Sequence, residues 1–224
     1  MPCEPSVLTN PQPVIALLGG TFDPIHLGHL RSAQELKEVL AADELKFIPC
    51  HRPPHRASPG VSSQQRLAMV ELAIAGLDGL SVDDRELQRD QLSYTIDTLI
   101  ELRREYGEQV VLCWLMGVDA FNHLDSWHRW QELLDYAHII VMARPEASLV
   151  TQGPVAELLA RHKVASPSQL LQQASGRVLL QTLTPYPISA TAIRQALSQG
   201  QPVSQYLPDT VLDYIEQHQL YRSE

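Results

Sequence analysis

Two histidines three positions apart, His26 and His29, close a segment that opens on two glycines: Gly19-Gly20-Thr21-Phe22-Asp23-Pro24-Ile25-His26-Leu27-Gly28-His29. Paired glycines at the end of an apolar run let a backbone approach a ligand closely. Near Gly28 the pattern turns helical, and the unpaired N–H groups of a first helical turn favour an anion. A spacing of three sets both imidazoles on one side of that turn, and Gly28 leaves room for a bulky group beside both rings. No nucleophile here has a base next to it; the nearest hydroxyl, Thr21, lacks an activating partner. Two ring donors and a positive helix end suit charge stabilisation on a phosphoryl group under attack, without a covalent intermediate. The segment is not a P-loop, because no Gly-Lys-Ser/Thr follows. Nor is it a dinucleotide fingerprint, since Gly19, Gly20 and Gly28 do not fit G-x-G-x-x-G. A bare H-x-G-H is equally compatible with a helix cap and a surface histidine; the surrounding residues weigh against that.

A second group with phosphate-binding chemistry is Ile188-Ser189-Ala190-Thr191-Ala192-Ile193-Arg194. Ser189 suits an N-cap, and Arg194 is expected on the first turn that follows. Hydroxyls, N–H groups and a guanidinium there would grip a polyphosphate, although alone the segment reads as a capped helix with a solvated arginine. His51, Arg52, His55 and Arg56 form a basic cluster around Pro53-Pro54. It suits a phosphate, although by composition alone a solvated basic loop is the better reading. Trp127 lies in a polar stretch, where a large ring is costly to expose unless it stacks; the alternative is a core tryptophan like Trp114 or Trp130. Gly117 and Asp119 follow the most strand-like run, where a carboxylate can take ribose hydroxyls or cap a short helix. Asp23 either acts through water on magnesium or orders its loop.

The elements that must position these groups alternate along the chain. Apolar runs at Val14–Leu18, Leu45–Pro49, Leu80–Asp83, Val110–Met116, His138–Ala143 and Val178–Leu183 predict strands. Helical periodicity covers about Gly28 to Ala42, where Leu30, Ala33, Leu36 and Leu40 share a face. Ser62-Ser63-Gln64-Gln65 predicts a capping box before a second helix. Further helices are expected over Thr95–Tyr106 and Arg129–Tyr136, and from about Ser189 and Pro208. Residues 146–176 read as helix and loop. The pattern predicts an α/β fold, a doubly wound and mostly parallel sheet with helices on both faces. Ligands of such sheets bind beyond the carboxyl ends of the strands, so the site should draw on loops 19–29, 50–56, 117–119 and 184–191.

Composition narrows the function classes. The 224 residues suit a single domain, here 14–224, after a proline-rich tail at 1–13. The formal charge of −9, from 17 basic and 26 acidic residues, argues against long nucleic acid as a partner. Cys3, Cys50 and Cys113 form no C-x-x-C pair, which leaves neither a zinc knuckle nor a redox motif, and Cys113 reads as a small buried hydrophobe. The tail, with four prolines and no apolar core, is unlike a signal peptide. No apolar stretch is long enough to span a bilayer. The expectation is a cytoplasmic protein, a monomer or weak homo-oligomer, with no membrane partner and no metal ligated by its own side chains.

The segment GGTFDPIHLGHL resembles the signature of the H-x-G-H nucleotidyltransferase superfamily, and ISATAIR resembles the I-S-x-T-x-x-R mark of its adenylyltransferase branch. Pro53-Pro54-His55-Arg56, Asp84-Arg85-Glu86-Leu87, Ser93-Tyr94-Thr95, Gly117-Val118-Asp119, Ser126-Trp127-His128, Ala143-Arg144-Pro145 and the ending YLPDTVLDYIEQHQLY are similar to nicotinate-nucleotide adenylyltransferases. The resemblance runs from about Val14 to Arg222 and implies a Rossmann-like fold. It implies transfer of AMP from ATP to nicotinate mononucleotide in NAD biosynthesis, with Mg2+ carried on the ATP phosphates. His26 and His29 would be catalytic. ATP would meet these two and Gly19, Gly20, Thr21, Phe22, Gly117, Asp119, Ile188, Ser189, Thr191 and Arg194. The mononucleotide would meet His55, Arg56, Tyr94, Thr95, Trp127 and His128, with Trp127 stacked on the pyridine. Other readings are the same chemistry on another acceptor, a tRNA-charging fragment, and a non-catalytic nucleotide sensor. The absence of K-M-S-K-S counts against the second.

Overall fold

The computed structural model describes residues 12–52, 61–143 and 148–222. Its strands are β1 (Val14–Gly20), β2 (Glu44–Pro49), β3 (Leu80–Val82), β4 (Val111–Gly117), β5 (His138–Ala143), β6 (Lys163–Val164) and β7 (Val178–Thr182). They form one sheet in the order β3-β2-β1-β4-β5-β7-β6, and every pairing is parallel. The strand order reverses between β1 and β4, which makes the gap beyond Gly20 and Gly117 the topological switch point where such sheets bind ligands.

The helices are α1 (Leu27–Val39), α2 (Ser63–Ile74), α3 (Thr95–Tyr106), α4 (Val118–Asn122), α5 (Leu133–Tyr136), α6 (Pro154–His162), α7 (Pro167–Leu170), α8 (Ala190–Ser198) and α9 (Asp209–Gln217). Strand alternation divides the core in two. Val14, Ala16 and Leu18 of β1 pack with Leu30, Ala33 and Leu36 of α1, Met69 and Ala73 of α2, Ile193 of α8 and Val211 and Ile215 of α9. Ile15 and Leu17 face the opposite layer, with Ile96, Leu99 and Leu102 of α3, Phe121 of α4 and Leu133 of α5. Both faces of the sheet are therefore covered, as its continuous apolar strands require. Burial pushes the Cys113 thiol up to about 12, so it is an inert packing group.

Several expectations are met and several are corrected. Ser62 accepts the Gln65 N–H while Gln65 accepts the Ser62 N–H, the reciprocal cap read from the sequence. Residues 146–176 contain α6 and α7 and also the edge strand β6, whose two residues are too few to leave a periodic signal. The helix expected over Arg129–Tyr136 is interrupted: Arg129 is left-handed (φ 51°), a 3₁₀ turn spans Trp130–Glu132, and only Leu133–Tyr136 is α-helical. Expectations for the tail through residue 11, for Pro53–Arg56 and for Arg144-Pro145 fall outside the described residues. No helix among the described residues is long and apolar enough to cross a membrane.

His138 opens β5 with no solvent exposure. Its Nδ1 accepts the Arg177 N–H at 3.1 Å, so the ring hydrogen sits on Nε2 and donates to the Gln173 carbonyl at 2.8 Å. Burial drives its pKa down to about 4. The native ring is neutral, whereas the unfolded ring takes a proton below about pH 6.5. The associated stability is complete above pH 6.5 and is lost as pH falls toward 4. Urea denaturation across that window is expected to show His138 removing about 3 kcal/mol in total, at ~1.4 kcal/mol per pH unit. His138→Gln, which retains the donor, should flatten the slope; an unchanged slope would assign the loss to other groups.

Candidate active site

Nothing in α1 is as unusual as its cap. His26 is the N-cap, in extended backbone (φ −147°, ψ 168°), and its Nδ1 accepts the His29 N–H at 3.4 Å. His29 returns the contact: its Nδ1 accepts the His26 N–H at 3.3 Å. A capping box normally uses a hydroxyl and a carboxylate or amide; here both partners are imidazoles. The rings stack with centroids 3.7 Å apart and planes inclined by 20°. Because each Nδ1 accepts a backbone N–H, each neutral ring carries its hydrogen on Nε2. Burial, with the neighbouring His26 ring, lowers the His29 pKa well below the usual histidine value. His29 is thus a neutral donor near pH 7.

The side-chain positions at the glycines of this segment are taken up by protein rings. A Cβ on Gly19 would lie 2.5 Å from the Trp114 ring, and one on Gly20 would lie 2.9 Å from the Phe22 ring. A Cβ on Gly28 would meet the His26 ring at 3.1 Å and Ile188 at 3.5 Å, so the room beside the imidazoles is already taken. Phe22 reaches its place through a left-handed backbone (φ 50°), a strained state for a bulky residue. Its ring stands edge-on to His29 at 5.3 Å and to Phe47 at 5.6 Å. The free helix N–H groups are also fewer than the sequence suggests. The His29 N–H goes to His26 and the Leu27 N–H to the Tyr206 carbonyl at 2.9 Å.

Gly117 differs. It is the N-cap of α4 with φ −74°, and a Cβ there would meet nothing within 4 Å. Its neighbour Asp119 is exposed in the first turn of α4, so it is not the helix cap that the sequence left open.

The two sequence motifs, 171 residues apart at Asp23 and Arg194, meet in space. Arg194 donates from Nη1 to the Asp23 carbonyl at 2.6 Å, lies 3.8 Å from its carboxylate, and donates from Nη2 to Thr191 Oγ1 at 3.5 Å. Ile188 packs beside Gly28. Two details differ from expectation: Ser189 occupies the N-cap of α8 without a side-chain cap bond, and Arg194 is the fifth helical residue, beyond the first turn. Asp23 also accepts the Tyr221 hydroxyl at 2.6 Å, which favours its loop-ordering role.

On the other side of the switch point Tyr94 is the N-cap of α3 and offers no side-chain cap, and Thr95 is the first helical residue. The Tyr94 ring lies against the exposed His128 ring, 4.5 Å between centroids. Trp127 is partly buried against the core layer that contains α3 and α4. His55 and Arg56 fall outside the described residues.

Sequence reasoning missed Arg66. This α2 residue is 1 % exposed and donates to the carbonyls of Thr21 at 2.6 Å, Cys50 at 2.7 Å and His51 at 3.3 Å. It ties the loops leaving β1 and β2 together. Tyr221 was missed as well, and burial with the adjacent Asp23 carboxylate pushes its phenol well up, keeping it a donor. An arginine within the amphipathic segment RLAMVELAI gives no sign of its burial, and only the three-dimensional fold reveals it.

Comparison with known proteins supplies the family. The model of the cytidylyltransferase-like family matches residues 17–196. A probable nicotinate-nucleotide adenylyltransferase of Pseudomonas aeruginosa is 51% identical over 209 residues, 93% of this chain and 97% of that protein. One from Aeromonas hydrophila is 52% identical over 211 residues, 94% of this chain and 98% of that protein. Among solved structures, Plasmodium falciparum nicotinic acid mononucleotide adenylyltransferase complexed with NaAD shares the fold, with a TM-score of 0.72 at 17% identity, covering 94% of this chain and 98% of that one. With half of its residues shared across nearly the full length of such relatives, the chain belongs to the cytidylyltransferase-like nucleotidyltransferases, in the nicotinate-nucleotide adenylyltransferase family.

Proposed function

We propose that this chain transfers the AMP group of ATP to nicotinate mononucleotide, giving nicotinate adenine dinucleotide and pyrophosphate. The observation that carries the reading is the interlocked His26–His29 pair at the sheet's switch point, with both hydrogens on Nε2. A phosphate oxygen of the mononucleotide attacks the α-phosphorus of ATP, and the bond from that phosphorus to the bridging oxygen breaks. That phosphate is largely ionised near pH 7, so no general base is needed. His26 and His29 donate to the α-phosphoryl oxygens, where charge grows. Their fixed rings need no reorganisation at the moment of reaction. Gly19, Gly20, Thr21 and Phe22 shape the floor beside them, and Asp119 takes ribose hydroxyls near Gly117. Ile188, Ser189, Thr191 and Arg194 hold the β- and γ-phosphates of the leaving group.

The mononucleotide lies across Tyr94, Thr95, Trp127 and His128, with its phosphate toward His55 and Arg56. The Trp127 ring stacks on the pyridine, and backbone N–H groups near Tyr94 and His128 donate to its carboxylate. An amide would turn its NH₂ toward those donors and leave buried N–H groups unpaired, at about 1–3 kcal/mol each. Among the described residues no cluster of three or more His, Cys, Asp or Glu could hold a metal. A magnesium ion would arrive on the ATP phosphates, would take its oxygens from phosphate and water, and would offset phosphate charge. The reaction is placed in the cytoplasm, in a monomer or weak homo-oligomer with no nucleic acid or membrane partner.

Pyrophosphate release from ATP, measured across a panel of mononucleotides, should be fastest with the nicotinate form. A preference for the nicotinamide form or for phosphopantetheine would reassign the acceptor, and no release with any of them would indicate a nucleotide sensor. His29→Ala is expected to lower kcat by about 10²–10³-fold with an unchanged circular dichroism spectrum; near-normal turnover would remove the assigned role. Gly117→Ala has a compatible φ and an empty surround, so its unfolding midpoint should match the wild type while KM for ATP rises. An unchanged KM would place the nucleotide elsewhere.

A further inference from the structure

Asp84-Arg85-Glu86-Leu87 was set apart by the sequence but has no part in the mechanism above. Glu86 within it is only 4 % exposed, and burial raises its carboxyl pKa against the pull of its hydroxyl partners. Two hydroxyls converge on it. Thr98, in the second turn of α3, donates from Oγ1 to Glu86 Oε1 at 2.7 Å, and accepts in turn from Arg89 Nη1 at 3.0 Å. Ser93 is the other partner. The Ser93 oxygen already accepts the N–H of His51 at 3.0 Å and the N–H of Arg52 at 3.4 Å. With two donors on its lone pairs, the hydroxyl hydrogen goes to Glu86. The Ser93 N–H completes the tie by donating to the Arg52 carbonyl at 3.1 Å.

These bonds have one direction. The amides of the loop leaving β2 point at Ser93, Ser93 points at Glu86, and Thr98 points at Glu86 from the other side. Among side chains an ionised carboxylate accepts at both oxygens and donates at neither, so it can end both chains. A buried carboxylate is not needed for stability, since apolar replacements of buried ions are often neutral or stabilising. What Glu86 does provide is a fixed span. One end is the start of the basic loop, His51 and Arg52; the other is the first turn of α3, next to Tyr94 and Thr95.

We infer that Glu86 is a positioning residue for the mononucleotide, setting the distance between the segment that meets its phosphate and the segment that meets its pyridine ring. The inference rests on the assignment of those two segments to nicotinate mononucleotide. It assigns nothing to ATP, whose contacts lie on β1, α1, α4 and α8, and this asymmetry makes it testable.

Steady-state kinetics with each substrate varied in turn would be measured for wild type, Glu86→Gln, Ser93→Ala and Thr98→Ser. Glutamine offers one acceptor and one donor where two acceptors are required, and alanine removes a single oxygen. Both variants are expected to raise KM for nicotinate mononucleotide about 10- to 100-fold, with KM for ATP within about twofold of wild type. Thr98→Ser, which retains the hydroxyl, should remain near wild type for both. Equal rises in both KM values, or no rise in either, would overturn the positioning role. Should Glu86→Gln fail to fold, Ser93→Ala decides by the same two KM values. A wild-type enzyme that releases no pyrophosphate with nicotinate mononucleotide would instead remove the functional reading itself, so the two failures are distinguishable.

Discussion

Each imidazole of the H-x-G-H pair satisfies the other's backbone N–H, and the rest of the site is arranged around that exchange. The exchange fixes helix α1 at its start, fixes both ring orientations and fixes both tautomers through one pair of bonds. It also dictates the neighbours. A side chain on Gly28 would press on the His26 ring, 3.1 Å from the Cβ position. Phe22 must lie edge-on to His29, which obliges it to adopt a left-handed backbone. Gly20 must be bare because the Phe22 ring lies over it. Gly20, Phe22 and Gly28 of the signature thus form one packed group with the histidines, Gly19 packs against Trp114 instead, and Gly117 has open space where a Cβ would stand.

A loop this constrained needs anchors, and the anchors are remote in sequence. Arg66 holds Thr21, Arg194 and Tyr221 hold Asp23, and Tyr206 holds Leu27. Three of these four come from beyond residue 190. Hydrogen bonds to charged groups contribute roughly 1.5–3 kcal/mol each when well formed, enough together to keep a left-handed Phe22 in place. The same residues that would grip a polyphosphate tail therefore also brace the loop that carries the imidazoles. Arg194 shows this most directly, with Asp23 at one end of its guanidinium and Thr191 at the other.

Strands β1, β2, β4, β5 and β7 were legible as continuous apolar runs, because a parallel sheet covered on both faces permits no polar alternation. The meeting of the two motifs was legible too, since both follow strands that end on the same edge. What the sequence concealed depends on long-range neighbours. That Trp114 and Phe22 occupy the side-chain space of Gly19 and Gly20 cannot be read from the local sequence. Arg66 and Glu86 are charged residues whose burial the sequence does not signal, and each joins segments the chain keeps apart. Strand β6 escaped because two residues carry no period.

The bonds from Leu27 to Tyr206 and from Asp23 to Tyr221 have a temporal consequence for synthesis on the ribosome. A domain can begin to fold from its N-terminal part while translation continues, and β1, β2 and β4 contain all that is needed to start the sheet. The loop between β1 and α1, however, cannot be fastened until residues 206–221 have emerged. A nascent chain can therefore carry a nearly formed sheet while its imidazole pair still lacks its braces, and acquire a settled catalytic geometry only late in its own production.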